Sequence, residues 1–223
     1  EIDLVCTDPP YCSGGFQETD KPAGSVGSVA LRKQVANDRL STRGYVALLK
    51  TAISLLDAGF LYAFTDWRMW VHLFDLVEAS GFGVRSMILW DKGTPGMGRG
   101  WRSQHELVMW ATKKTPPFDK KNPGKGNVIR ADRSGNKFHT TEKPLQVILE
   151  LVEFADFAQH VADPFMGSGT TLIACEELGR TFYGAELDPA YVDIAIQRWQ
   201  SLTGQTAVRA DGKSFADVKA AAV

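Results

Sequence analysis

Cysteine is scarce in this chain. Cys6, Cys12 and Cys175 are the only three among 223 residues, odd in number and far apart. No disulfide framework or zinc-ligand cluster can be assembled from them, so no metal is expected, and a reducing, cytoplasmic compartment is. Long apolar runs are missing as well and no signal peptide is expected, so a membrane partner is not expected either. Nor does charge of one sign prevail: 25 Lys and Arg against 26 Asp and Glu give a formal net charge of -1, so any nucleic-acid footprint has to be local. Internal repeats and inter-domain linkers are not found. The remaining composition, 44% hydrophobic and 23% charged, is ordinary for a globular chain and argues against disordered, collagen-like and coiled-coil classes. The length suits one large domain. Because the first residue is Glu1, at the edge of an expected strand, further native residues are expected before it.

Residues 2–6 are apolar apart from Asp3, and with a proline pair soon after they read as a short strand buried on both faces. Residues 12–42 scatter Gly14, Gly15, Gly24 and Gly27 among Ser, Thr and charge, and a connection this long predicts a loop over a site. From Gly44 the apolar spacing turns helical, with Tyr45, Leu48, Leu49, Ala52, Ile53, Leu55 and Leu56 on one face before Asp57-Ala58-Gly59 ends it. A strand over 60–65, a helix over 67–80 stopped by Gly81, and strands over 84–90 and 107–112 follow. With no helix between them, the last two are expected to pair as an antiparallel edge. Pro144 suits the first turn of a helix carrying Leu145, Ile148, Leu149 and Val152. Further on come a strand over 160–162, a helix over 171–178, a strand over 182–185 and a long helix from Pro189 through Trp199. The Ala- and Lys-rich tail predicts a weakly held helix or a frayed end. This alternation predicts an α/β fold, a doubly wound and mostly parallel Rossmann-like sheet.

Two constellations carry chemistry. Asp8-Pro9-Pro10-Tyr11 follows the first strand, and an acid there points into the crevice where open α/β sheets bind ligands. The prolines fix the backbone and remove two donors, leaving a carboxylate, rigid carbonyl groups and a flat ring, which together suit a planar amino group on an aromatic heterocycle. Taken alone, the same four residues also read as a strand-ending turn. The second constellation is a strand, Gly167-Ser168-Gly169, a helix, and a further strand ending in Glu186. Glycines admit a ligand to the backbone and the later acid accepts from ribose hydroxyls. Leu172 stands where a dinucleotide fingerprint has its third glycine, and no Gly-Lys-Thr or Gly-Lys-Ser occurs. What remains is a nucleoside cofactor without phosphates, a description that S-adenosylmethionine meets. Two basic groups are candidates for a phosphate footprint. Arg32, Lys33, Arg39 and Arg43 lie in or beside the long loop. Lys113, Lys114, Lys120, Lys121, Lys125, Arg130, Arg133 and Lys137 lie in a Pro- and Gly-broken segment, 113–137, opposed only by Asp119 and Asp132.

Taken together, these features resemble the S-adenosylmethionine-dependent DNA amino-methyltransferases of the β arrangement, in which the catalytic motif precedes the cofactor motif. The resemblance is carried by Asp8-Pro9-Pro10-Tyr11; by Trp90-Asp91-Lys92 with Gly96, Gly98, Arg102 and His105-Glu106; by His139-Thr140-Thr141-Glu142-Lys143-Pro144; by residues 163–170; and by Gly184-Ala185-Glu186-Leu187-Asp188 with Tyr191 and Arg198. It implies a seven-stranded-type methyltransferase sheet with an antiparallel edge strand and a circularly permuted motif order, in a single catalytic domain over 1–223. The loop 12–42 would lie over the site, with 113–137 in the target-recognition position. Where the family has His-Pro-Thr this chain has His139-Thr140-Thr141, Cys12 follows the tyrosine, and segment 113–137 is short.

By resemblance, Asp8, Pro9, Pro10 and Tyr11 are catalytic. Asp8, His139, Thr141, Lys143, Asp163, Phe165, Gly167, Ser168, Gly169, Thr170, Glu186 and Leu187 hold S-adenosyl-L-methionine, with Thr141 and Lys143 closing over its methionine part. Arg32, Lys33, Arg39, Arg43, Lys92, Arg99, Arg102, Lys120, Lys121, Lys125, Arg130 and Arg133 face DNA. Asp8 and the Pro9 carbonyl would accept the hydrogens of an exocyclic amine, while Tyr11 stacks on a base that has left the duplex. Asp at the head of the motif favours N6 of adenine over N4 of cytosine, whose enzymes more often have Ser there. Methylation of a protein glutamine and a non-catalytic DNA-binding module are lesser alternatives. A short recognition segment predicts a homodimer on double-stranded DNA.

Overall fold

The computed structural model describes residues 1–11, 42–96, 99–118, 124–133 and 142–221. Strand β1, Leu4–Thr7, is buried along its whole length. It lies between β2 (Phe60–Thr65) and β6 (His160–Asp163), parallel to both. Helices α1 (Thr42–Leu56) and α2 (Trp70–Ala79) flank β2 in sequence, and β3 (Gly83–Asp91), β4 (His105–Thr112) and β5 (Val128–Arg130) follow. After α3 (Leu145–Phe154) and β6 come α4 (Thr170–Glu177), β7 (Thr181–Gly184), α5 (Pro189–Thr203) and α6 (Phe215–Ala220). The strands form one sheet in the order β5-β3-β4-β2-β1-β6-β7.

Alternation along β1 and β2 divides the core into two faces, since successive strand side chains point to opposite sides. Leu4, Cys6, Tyr62 and Phe64 pack with Val147, Ile148, Leu151, Ala174 and Cys175 from α3 and α4. Val5, Leu61 and Ala63 pack on the other face with Tyr45, Leu49, Ile53, Leu73 and Val77 from α1 and α2. Burying each Leu or Val of this kind contributes about 1.5–3 kcal/mol, which is why both faces need a helical cover. The chain passes from β1 through α1 to β2 on one side and from β6 through α4 to β7 on the other. A crevice therefore opens between the carboxyl ends of β1 and β6, where ligands bind in sheets of this class.

The strand expected over 60–65 is β2 without change. The helix expected over 67–80 starts only at Trp70, because Asp66 Oδ1 accepts from the N–H groups of Arg68 (3.0 Å) and Met69 (2.9 Å) and holds a turn first. α5 runs past residue 199 to Thr203 and stops at Gly204, φ 70°. The tail forms α6 with a Ser214–Asp217 capping box and no buried residue.

Two expectations need correction. The antiparallel pair β3 and β4 exists, but it lies one place in from the sheet edge, and β4 is antiparallel to β2 as well. The edge itself is β5, parallel to β3. That strand lies in 113–137, so part of the expected flexible segment is ordered. Burial of Ile129, 4% exposed, is what anchors it.

Candidate active site

Strand β1 delivers Thr7 and Asp8 to the crevice. Asp8 Oδ2 accepts from Lys143 Nζ at 2.5 Å, and its Oδ1 is buried with no hydrogen-bond partner. Lys143 immediately precedes Pro144, whose fixed backbone (φ -59°, ψ 133°) turns the chain into α3. Its ammonium lies 3.3 Å from Glu106 Oε2 and over the rings of Tyr11 (5.2 Å) and Phe64 (5.3 Å). Glu106, on β4, also accepts from Tyr11 Oη at 2.7 Å and pairs with Lys92 Nζ at 2.5 Å. Asp8, Lys143, Glu106, Tyr11 and Lys92 thus form one continuous network drawn from β4 and from three loops, after β1, after β3 and before α3.

The network has a defined polarity. Burial pushes the Asp8 carboxyl above its ordinary value; Lys143 pulls it partway back, and the negative Glu106 works against that pull. Burial would raise Glu106 too, but Lys143 and then Lys92 overcome it and hold the carboxyl down at about 2. The Lys143 ammonium loses solvation, yet Asp8 and Glu106 more than compensate, so it keeps its proton more firmly than an ordinary lysine. Burial, followed by the charges of Asp8 and Glu106, raises the Tyr11 phenol well above its usual range, so it stays a neutral donor.

The second half of the site hangs on Asp163, 3% exposed at the end of β6. Its Oδ1 accepts from Thr7 Oγ1 (2.8 Å) and the Phe165 N–H (3.0 Å), and its Oδ2 from Thr171 Oγ1 (2.8 Å). Burial pushes this carboxyl up to about 6 against those three hydrogen bonds. The side chain braces the loop from within. Beyond it, the Met166 N–H donates to the Ala185 carbonyl at 3.0 Å, and the Ala185 N–H to the Asp163 carbonyl at 3.0 Å. Gly169, φ 82°, starts α4; a Cβ there would lie 2.8 Å from the Ala195 Cβ of α5, so the glycine permits that contact. Gly167, φ 52°, has no described atom within 4 Å of where a Cβ would be, which leaves its face open.

Glu186 accepts from the Gly167 N–H at 2.9 Å and the Asp188 N–H at 2.8 Å. Each carboxylate oxygen has two acceptor positions, so both keep one for a ligand. Leu187 beside it is 71% exposed, and Phe165 is half-buried. Arg198 of α5 donates to the Ser168 carbonyl (2.8 Å) and Oγ (3.1 Å) and to Thr170 Oγ1 (3.4 Å). The same Nη1 lies 3.3 Å from Glu142 Oε1. It ties the glycine loop to the segment that carries Lys143.

The structure brings Asp8 and Tyr11 together with Lys143, and Asp163, Phe165, Gly167, Ser168, Gly169, Thr170, Glu186 and Leu187 around the adjoining loop. Pro9 is buried and Pro10 half-buried between the halves. Lys143 was expected over a cofactor's methionine part; here it holds Asp8. His139 and Thr141 lie outside the described residues, as do Arg32, Lys33, Arg39, Lys120 and Lys121. Lys92, expected to face DNA, pairs with Glu106, and its side chain is 14% exposed. Lys125 pairs with Glu150 at 2.9 Å, and Arg130 Nε lies 3.9 Å from Asp91 Oδ2. Arg43, Arg99, Arg102 and Arg133 are exposed. Glu106 and Arg198 carry roles that the sequence reading quoted without assigning. The signal for Glu106 was hairpin register: Trp90 faces Glu106 across the β3–β4 pair, which puts Lys92 diagonal to it.

Residues 2–197 match a family model described as DNA methylase (N6_N4_Mtase). Among curated relatives, the type II methyltransferase M.BglII of Bacillus subtilis is 29% identical over 233 residues; the match covers 88% of this chain and 63% of that protein. The type II methyltransferase M2.DpnII of Streptococcus pneumoniae is 25% identical over 237 residues, covering 90% and 83%. Among solved structures, the M1.HpyAVI–SAM complex aligns over 89% of both chains at 25% identity with a TM-score of 0.62. The cytosine-N4-specific PvuII DNA methyltransferase shares the fold, at 16% identity, a TM-score of 0.67 and coverage of 89% and 79%.

Proposed function

The chain belongs to the DNA methylase (N6_N4_Mtase) family of S-adenosylmethionine-dependent DNA amino-methyltransferases, and from that premise we propose that it methylates the exocyclic N6 amine of adenine at a specific sequence in double-stranded DNA. One observation carries the proposal. Asp8 presents a buried oxygen, Oδ1, with no partner, while Lys143 fixes its other oxygen. A buried acceptor left unpaired costs free energy, and an amine hydrogen would satisfy it.

The glycine loop suits the cofactor. Gly167 leaves backbone open to a ligand, Glu186 has acceptor capacity for a ribose diol, and exposed Leu187 offers an apolar surface beside it. S-adenosylmethionine supplies, when bound, a methyl group on a positively charged sulfur. The protein's part is to make the amine nucleophilic. That lone pair is delocalised into the base, and accepting the two amine hydrogens at Asp8 Oδ1 and the Pro9 carbonyl draws the nitrogen toward tetrahedral geometry. Asp8 must be ionised for this, and Lys143 favours that form. Tyr11, hydrogen-bonded to Glu106, presents its ring for stacking on the extruded base.

Adenine is favoured because Asp, where cytosine enzymes more often have Ser, leads the motif. The fold likeness to the PvuII enzyme supports N4 of cytosine as the second reading. The test is transfer of labelled methyl groups to unmethylated chromosomal DNA, followed by chromatography of the digested nucleosides. N6-methyladenine is expected, and N4-methylcytosine would replace the first reading by the second. Asp8→Asn should lower transfer by roughly 10²–10³-fold, the usual loss when one oriented polar group is removed from a reacting centre. Transfer by that variant equal to the parent's would remove Asp8 from the chemistry.

A further inference from the structure

The connection between β3 and β4 leaves the carboxyl edge of the sheet that also carries Asp8 and Asp163, because β3 runs parallel to β2 and β1. Its root is fixed. The Lys92 N–H donates to the Gln104 carbonyl at 2.9 Å and the Gly96 N–H to the Ser103 carbonyl at 3.0 Å. Gly93 N–H and Gln104 Nε2 both donate to Asp91 Oδ1 at 2.9 Å. Above this root stand Arg99, Gly100, Trp101 and Arg102, all exposed, with Gly100 at φ 73° turning the chain. The relative exposure of Trp101 is 106%, so its whole indole is in water.

An indole carries a large apolar surface that folding normally covers. The other exposed tryptophan at this edge, Trp67 after β2, has the Arg68 guanidinium 4.8 Å from its ring centre. Among the described residues no ring or cation lies against Trp101. It stands five positions before Glu106, which contacts Tyr11 and Lys143. Five residues reach at most about 17 Å, comparable with the ~12 Å width of a DNA major groove. An arginine on each side of Gly100 and Trp101 supplies the charge that phosphates require.

We propose that Trp101 inserts into the DNA duplex and stacks where the target base has left, while Arg99 and Arg102 contact flanking phosphates. The proposal rests on the reading of this protein as an enzyme of duplex DNA. A base that leaves the helix gives up stacking on both neighbours, and an inserted flat side chain restores much of that contact. The two parts of the tip then have separable effects: the arginines serve binding to any duplex, and the indole serves extrusion of the base.

The test measures two quantities in the full chain. One is methyl transfer to saturating unmethylated chromosomal DNA, and the other is affinity for a short fluorescent duplex of random sequence. Trp101→Ala should lose about tenfold or more in saturated rate, the usual effect of one lost base–aromatic contact, with little change in random-duplex affinity. Trp101→Phe should recover most of the rate. Arg99→Ala combined with Arg102→Ala should weaken affinity and reduce its salt dependence by about two phosphate contacts. The proposal is overturned if Trp101→Ala matches the parent, if it weakens random-duplex affinity as the arginine variant does, or if Trp67→Ala shows the same loss of rate. A parent protein that transfers no label to any DNA would instead sink the methyltransferase reading itself.

Discussion

Replacing Lys143 with Met keeps an unbranched apolar stem and removes the cation that separates two carboxylates. Nζ lies 2.5 Å from Asp8 Oδ2 and 3.3 Å from Glu106 Oε2, and the three side chains are 8%, 26% and 20% exposed. Removing one partner of a buried ion pair costs about 3–5 kcal/mol. Asp8 keeps a quarter of its surface in water and Glu106 retains Lys92, so the low end applies. About 3 kcal/mol in a chain of this size lowers the melting temperature by roughly 6–12 °C. The pH dependence distinguishes this from general damage. Burial already holds the Asp8 carboxyl above its ordinary value of 3.8, and without Lys143 it rises further. A carboxyl that binds its proton more tightly when folded favours folding below its ordinary value, and that contribution is lost as pH rises through the folded midpoint. The stability deficit of Lys143→Met should therefore shrink toward acid. Activity moves the other way, because the ionised carboxylate is the proposed acceptor for the amine, so the acid limb of the rate profile should shift to higher pH. Scanning calorimetry and methyl transfer, both across pH, measure the two trends. Superimposable rate profiles, or a melting deficit constant in pH, would refute the role assigned to Lys143.

Other perturbations test the remaining parts of the site. Gly169→Ala places a side chain in the left-handed region and 2.8 Å from the Ala195 Cβ; strain and overpacking together should cost about 2–4 kcal/mol, read as a lower melting temperature. Glu186→Ala should weaken S-adenosylmethionine binding about a hundredfold in titration calorimetry, since hydrogen bonds to a charged acceptor contribute about 1.5–3 kcal/mol each; unchanged affinity would exclude Glu186 from the cofactor site. In the parent, a carboxyl raised from 3.8 to about 6 at Asp163 favours folding in acid by about 3 kcal/mol, an advantage lost as pH climbs through that range. Glu106, lowered from 4.5 to about 2, contributes above its ordinary value and loses that contribution only as pH falls toward 2. From these two groups, maximal stability is expected at about pH 4, and Asp163→Asn should flatten the fall between about pH 4 and pH 6 in the melting temperature.

The parts of the fold that were legible share a physical cause. β2 could be bounded to the residue because five apolar residues and Thr65, all buried, sit between Gly59 and Asp66. The doubly wound order and the Asp8 and Glu186 strand ends follow from alternating periods of two and 3.6, which the sequence carries openly. β5 was hidden because three residues contain no period, and its single buried side chain, Ile129, lies among lysines, prolines and glycines. The partner of Lys92 was hidden for a related reason. Charge counting sees a lysine in a glycine-rich loop, whereas its partner is chosen by the pairing register of β3 and β4. Lys143 shows the same limit over a greater separation: nothing local to it indicates Asp8, 135 positions earlier.

That long-range contact explains how a site split between opposite ends of the chain can act as one unit. β1 stands between β2 and β6, so Thr7 and Asp163 come within 2.8 Å although 156 positions separate them. Arg198 adds a second tie, from α5 to Ser168 in the glycine loop and to Glu142, the neighbour of Lys143. Through these contacts the loop proposed to hold the cofactor and the lysine that fixes Asp8 share one framework. Packed side chains and hydrogen-bond networks transmit displacement because the interior has little free volume to absorb it. Contacts run from the loop at Ser168 to Arg198, from Arg198 to Glu142 beside Lys143, and from Lys143 to Asp8 Oδ2. The position of the proposed amine acceptor is therefore tied to the half proposed to hold the cofactor, and damage to α5 is expected to reach Asp8 without touching it.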